Sequence, residues 1–216
     1  MQAYETLVAP DGYEVMLFPL PYMYISQGEN GSVSHQGTLN MDFIGWGANG
    51  RVYTAPLYAP CTCKCVARYT SSNHGQVFES VNKVHCADGV LRYVTFMCYH
   101  DNSPIASVGD IFNQGEIFAH TGTAGGVADH THFNTAAGTF QGFENVPPDN
   151  HNELVNSAHI YNICFVNNTD LYYPLSYSWV LYGRRGGNYP TSKFPWVLYA
   201  RKLRNDRRWQ KFTHLL

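Results

Sequence analysis

Residues Val77 to His100 read VFESVNKVHCADGVLRYVTFMCYH. Two runs rich in β-branched and aromatic residues, Val77 to Val84 and Val90 to Tyr99, flank Asp88-Gly89, a dipeptide that tolerates the positive φ angles of a tight hairpin turn. The stretch therefore predicts an antiparallel hairpin whose second strand ends on His100. The same punctuation recurs outward in both directions, with turn signals at Gly28-Glu29-Asn30-Gly31, Gly45 to Gly50, Ser71 to Gly75, Gly109-Asp110, Gly122 to Gly126, Gly142 to Asn150 and Gly183 to Pro190. Residues 111–120 and 130–137 read as further short strands, and 152–160 as one or two helical turns. The expected fold is all-β: an antiparallel sheet with long Gly-rich loops framing a groove and few short helices.

Composition agrees. The chain has 216 residues, of which 15% are aromatic and only 14% charged, with 19 Gly and 11 Pro, a balance that argues against coiled-coil, collagen-like and disordered classes. Charge is split: residues 1–183 hold 5 Lys+Arg against 15 Asp+Glu, whereas residues 184–216 hold 9 against 1. An acidic body thus precedes a basic, aromatic extension, placed at residues 171–216 after a domain of residues 1–170. Such an extension either contacts an anionic partner or folds back on the acidic body. The segment Met1 to Phe18 carries Glu5, Asp11 and Glu14 without a basic start, so no signal peptide is expected, and no run reaches membrane-spanning length. No membrane partner is expected.

The spacing of the six cysteines says more than their number. Cys61, Cys63 and Cys65 alternate, so on a strand their sulfurs face one side, whereas zinc ribbons use pairs two to four residues apart. They read as small apolar core residues. Metal chemistry is expected instead from the ten histidines. In His130-Thr131-His132, positions i and i+2 of a strand share a face, so one imidazole can bind a metal while the other stands beside its water. A catalytic zinc takes three protein ligands from His and carboxylate and leaves its fourth position open. His35, Asp42 and His132 can supply that set, and His100, at the end of the predicted hairpin strand, can reach the same water.

The order of these landmarks resembles the lysostaphin-type zinc endopeptidases of bacterial peptidoglycan. The pattern runs Ser34-His35-Gln36-Gly37, Met41-Asp42-Phe43, Tyr99-His100, a Gly-rich run from Gly115 to Gly126, and His130-Thr131-His132-Phe133. Val52-Tyr53-Thr54-Ala55-Pro56 is similar to the strand that enters that family's sheet. The resemblance covers about residues 30 to 137 and implies one Zn2+ per chain held by His35, Asp42 and His132, with His100 and His130 as catalytic histidines. It implies hydrolysis of peptide bonds in the cross-links or stem peptides of peptidoglycan through a metal-activated water, with substrate choice set by loops such as 45–50, 71–75 and 139–151.

Three positions depart from that pattern. His35 and Asp42 are seven positions apart where many relatives have four, so Gln36 to Met41 must bulge or loop for both side chains to reach one metal. The H-x-H-F lacks a preceding Gly-Pro; Asp129 stands there and could orient a neighbouring imidazole. Asn134 follows where many relatives carry an acid. His74, His85, His120, His151, His159 and His214 read as surface or packing residues, and Asp101 and Glu153 as ordinary loop or helix acids. Asn152 to Thr169 is similar to tail-tip lysins of small phages, which implies a phage-borne protein of the virion tail or, after release, the host wall. Residues 184–216 would then contact anionic wall polymers or other virion proteins; nucleic acid is not an expected partner of so acidic a body. The competing expectation is a non-enzymatic virion protein that keeps the peptidase fold.

Overall fold

The computed structural model describes residues 6–31, 33–47, 49–148, 151–165 and 170–172. Fifteen strands and one short helix are found among them. The main sheet is built from β1 (Tyr22–Gln27), β2 (Met41–Gly47), β5 (Cys63–Arg68), β6 (Gln76–Ser80), β9 (Val94–Tyr99), β10 (Ile111–Phe112), β12 (Thr131–Ala137) and β15 (Asp170–Tyr172). Their spatial order is β10-β5-β6-β9-β12-β2-β1-β15, with β3 (Gly50–Val52) added to β2. Every neighbouring pair is antiparallel except β1 with β15. Smaller two-stranded pieces pair β4 (Pro56–Tyr58) with β11 (Ile117–His120), β7 (Val84–His85) with β8 (Leu91–Arg92), and β13 (Phe143–Val146) with β14 (His151–Leu154).

The hairpin expected around Asp88-Gly89 is present but divided. β6 pairs with β9 through Phe78 opposite Phe96, and the segment between them makes its own small ribbon in which His85 faces Leu91. Gly89, at φ 87°, closes that turn by donating its N–H to Cys86 O at 2.9 Å. The predicted strand 111–120 is likewise two short strands that pair with different partners. The helical turns predicted at 152–160 are displaced: 151–154 is strand β14, and α1 is the single turn Ile160–Ile163. Pairing with β13 overrides local preference there, since Phe143 to Val146 offers four successive partners. The same pairing turns part of the expected 139–151 loop into a hairpin, and of the expected loop 45–50, Gly45 to Gly47 belong to β2 and Gly50 to β3. The expected domain boundary at residue 170 falls inside β15; the extension beyond Tyr172, with its basic residues, lies outside the described residues.

Both faces of the sheet centre are covered. One buries a phenylalanine cluster: Phe78 and Phe96 stack at 5.5 Å, Phe118 meets Phe78 edge-on at 4.8 Å, and Phe133 joins Phe96 to Phe43 at 5.9 and 5.5 Å. Cys61, Cys63, Cys65, Cys86, Cys98 and Cys164 are all buried free thiols, and burial pushes the thiols of Cys61 and Cys98 well above their ordinary range. All six are core residues, as the alternation of Cys61, Cys63 and Cys65 predicted for those three. The opposite face packs Val77, Met97 and Ala136 beneath Leu154 of β14. That cover leaves one end of the face to polar residues: Asp42, His132 and Tyr99 lie directly across from one another on β2, β12 and β9. No helix among the described residues is long and apolar enough to cross a membrane.

Candidate metal centre

The row across three strands builds the site. Asp42 and His132 are opposed in the β2–β12 ladder, and residues opposed in an antiparallel pair share a face with Cβ atoms about 5 Å apart. His132 Nδ1 lies 3.2 Å from Asp42 Oδ1. His35 comes from the loop before β2. Its Nε2 reaches 3.4 Å from the same carboxylate oxygen and 3.2 Å from His132 Nδ1. The seven-position spacing is absorbed in a turn in which Thr38 donates both its N–H and its hydroxyl to His35 O, so that the chain folds back before β2 begins. The three residues are buried, and they form the group of donors close enough to share an ion among the described residues.

Tautomers and charge suit a cation. A backbone carbonyl can only accept, so His35 Nδ1, 3.2 Å from Gly28 O, carries its proton and leaves Nε2 as a lone pair. Gln27 donates from Nε2 to Asp42 Oδ2 at 3.2 Å and to Ser34 Oγ at 2.8 Å, which fixes the carboxylate with Oδ1 turned into the cluster. Burial acts to raise the Asp42 carboxyl, but the His132 and His35 imidazoles outweigh it and hold the group well below the ordinary carboxylate range. Burial lowers His132 to about 4, so its imidazole is neutral at physiological pH, the form that binds metal. Zinc bonds of about 2.0–2.1 Å at tetrahedral angles place neighbouring donors about 3.3 Å apart. The observed 3.2, 3.2 and 3.4 Å match that edge length, so the residues present fit zinc.

The two remaining histidines stand at the same mouth. His130 Nε2 lies 3.6 Å from Asp42 Oδ1, and the His100 and His130 rings are 4.5 Å apart. Each donates Nδ1–H to a backbone carbonyl, His100 to Ala124 O at 2.7 Å and His130 to Ala128 O at 2.6 Å, leaving Nε2 as the basic nitrogen. Burial and then the neighbouring His130 lower the His100 pKa. His100 sits just past β9 at φ 80°, a left-handed conformation held by its N–H on Asn73 O and its carbonyl accepting from Ala124 N–H. Gly122 makes this possible: it pairs with His130 through two 3.0 Å backbone bonds while passing so near His100 that a Cβ would lie 2.1 Å from the His100 carbonyl oxygen. Tyr99, whose ring is 5.5 Å from His132, has its phenol pushed up to about 12 by burial and remains protonated.

Other sequence expectations change. Asp129 orients no imidazole; its carboxylate accepts from Thr54 N–H and Thr121 Oγ1–H, and its carbonyl from Arg51, so it pins the β3–β4 segment to the His130 loop. Asp101 and Glu153 are buried, Asp101 receiving Ser103 N–H and His120 N–H. His85 pairs with Asp11 and His159 with Glu29, away from the cluster, as packing residues would. The site also depends on Gln27, Gly28 O, Ala124 O and Ala128 O. A backbone carbonyl carries no residue-type signal, and Gln27 has no motif, so only proximity reveals them.

No family model matches the chain. Similar solved structures include the catalytic domain of the antimicrobial peptidase lysostaphin from Staphylococcus simulans, 21% identical, covering 54% of this chain and 80% of that one with a TM-score of 0.39. Another is a zinc-containing peptidase from Vibrio cholerae, 15% identical, covering 71% of this chain and 46% of that one with a TM-score of 0.40. In sequence the chain is similar to Morphogenesis protein 1 of Bacillus phage B103, 37% identical over 171 residues, which are 78% of this chain and 44% of that protein. The chain thus spans less than half the length of that relative.

Proposed function

We propose that this chain is a zinc-dependent endopeptidase that hydrolyses peptide bonds in the cross-links or stem peptides of bacterial peptidoglycan, carried by a phage. The observation that supports it most is the convergence of His35 Nε2, Asp42 Oδ1 and His132 Nδ1 at 3.2 to 3.4 Å with the His130 and His100 rings beside them. Zinc held by the first three residues would supply Lewis-acid polarisation of a peptide carbonyl and lower the pKa of water at its open position. His100 and His130 stand beside those ligands with Nε2 as the other ring nitrogen, each aligned by its Nδ1–H bond to a carbonyl. One of them would take the water's proton at Nε2, and the other, entering the step protonated on both ring nitrogens, would give a proton to the departing amine, the usual division between a general base and a general acid. Neutral imidazoles are needed for the first task, which the lowered His100 pKa favours.

The likeness to a phage morphogenesis protein supports a virion setting, in the tail or at the host wall. It also supports a second reading, a structural virion protein that keeps the fold without turnover. Residues 184–216 would serve either by docking on anionic wall polymers or on other virion proteins.

The test is metal analysis together with digestion of purified peptidoglycan by wild type, His132→Ala and His100→Ala. One zinc per chain in wild type and His100→Ala, with loss in His132→Ala and new free amines from wild type only, is expected. Zinc without cleavage on walls of several cross-link types selects the structural reading, and a wild-type chain without zinc refutes the metal centre.

A further inference from the structure

We propose that Glu153 is a positioning residue: its carboxylate, delivered by the β13–β14 hairpin, ties the His35-to-Asp42 connection to β12 and so sets the spacing of the candidate ligands. This inference rests on the zinc reading above. Its starting point is the long connection. Residues 36–41 must leave the site and return to it, and the bonds of Thr38 to His35 and of Gly37 N–H to Asn30 Oδ1 fix only the turn itself. Glu153 reaches across to the strand that carries His132. A single oxygen, Oε1, accepts both the N–H of Leu39, three residues before Asp42, and the Nδ2–H of Asn134, two residues after His132, the latter at 3.3 Å.

Asn134 returns the connection. Its Oδ1 accepts Leu154 N–H at 3.1 Å and Ser157 Oγ–H at 2.8 Å, so β12 and β14 are joined in both directions around Glu153. Glu153 is only 5% exposed, and burial raises its pKa above the ordinary value. A buried carboxylate is costly to desolvate unless it is well bonded. Here the bonds it makes span two candidate ligand-bearing segments. Asn134, one of the positions that depart from the resembled pattern, supplies the amide hydrogen that Glu153 Oε1 accepts.

The bonding pattern separates geometry from charge. Glu153→Gln keeps an Oε1 acceptor for both donors, whereas Glu153→Asp withdraws it by one methylene and Glu153→Ala removes it. Full-length variants are titrated with zinc against a chromophoric chelator, and cobalt spectra report the ligand geometry of the folded fraction. The expected result is affinity near wild type for Glu153→Gln and about 10–100-fold weaker binding for Glu153→Asp and Glu153→Ala, with a changed cobalt spectrum. If Glu153→Ala does not fold, Glu153→Asp against Glu153→Gln carries the comparison. Loss in the Gln variant with affinity kept in the Asp variant would assign the role to charge and overturn the clamp, as would unchanged metal affinity in Asp and Ala variants that are merely less stable. A wild-type chain that takes up no metal overturns the zinc reading and the clamp with it, whereas a metal-binding wild type isolates the failure to Glu153.

Discussion

Replacing Gly122 with alanine should separate metal binding from catalysis. Gly122 sits between the two candidate catalytic histidines: it exchanges backbone bonds with His130 at 3.0 Å, and its missing side chain admits the His100 carbonyl oxygen, 2.1 Å from where a Cβ would stand. The Asn102 backbone nitrogen, at 2.9 Å from the same point, blocks escape along the loop. Reaching ordinary contact at 3.4 Å requires an opening of about 1.3 Å, and both obstructing atoms belong to backbone that cannot rotate away. The opening must therefore move His100 relative to His130. Misplacement of a catalytic group by about 1 Å costs about a hundredfold in rate, or roughly 2.7 kcal/mol of transition-state stabilisation. His35 and Asp42 hang from other segments and His132 is held between β2 and β9, so zinc content should stay at the wild-type value. The assay is release of free amines from peptidoglycan at several substrate concentrations, with metal analysis of the same preparation. Wild-type kcat/KM in Gly122→Ala would show that the His100 to His130 geometry does not set the rate, and loss of zinc together with activity would show that the loop supports the ligands instead.

Two further outcomes follow from the core and from a buried acid. Phe78→Ala should cost about 3–5 kcal/mol in denaturant unfolding, because its ring contacts Phe96, Phe112 and Phe118, yet leave the zinc affinity of the folded fraction unchanged; a loss below 1 kcal/mol would mean the cluster collapses into the gap. Glu29 is buried, and desolvation raises its pKa above 4.5 despite its bonds to His159 and the Ile160 N–H. The native state therefore holds this proton more tightly than the unfolded chain, so this residue's contribution to stability falls as pH rises from 4.5 through its raised value. In Glu29→Gln that part of the pH dependence should vanish from thermal melts, and an unchanged slope would remove Glu29 as its source.

Local rules were sufficient for several features because each depends on neighbours in the sequence. The i, i+2 relation of His130 and His132 needs only strand geometry, and the alternating cysteines bury on one side for the same reason. Asp88-Gly89 specifies a turn by its own backbone preference, though the strands it was expected to join directly are set apart by a small ribbon. The amino-acid order also lined up the five candidate site residues, since a catalytic zinc draws its donors mostly from His and carboxylate wherever they lie. Residues 152–160 show the opposite case: the sequence reads as helical, but cross-strand bonds to β13 made 151–154 a strand. That choice then delivered Glu153 to the far side of β12.

What the sequence determined by itself was the class of fold, the chemistry available and the residues able to hold a metal, because periodicity and donor type are local properties. What only the tertiary structure decided was distance and direction: that a turn over Gln36 to Met41 brings His35 within 3.4 Å of Asp42, that each imidazole's other nitrogen meets a particular carbonyl, and that Asp129 pins a loop rather than a ring. These are fixed by which strands lie side by side, and strand pairing joins residues 90 positions apart that no local pattern connects, as Asp42 and His132 are joined here.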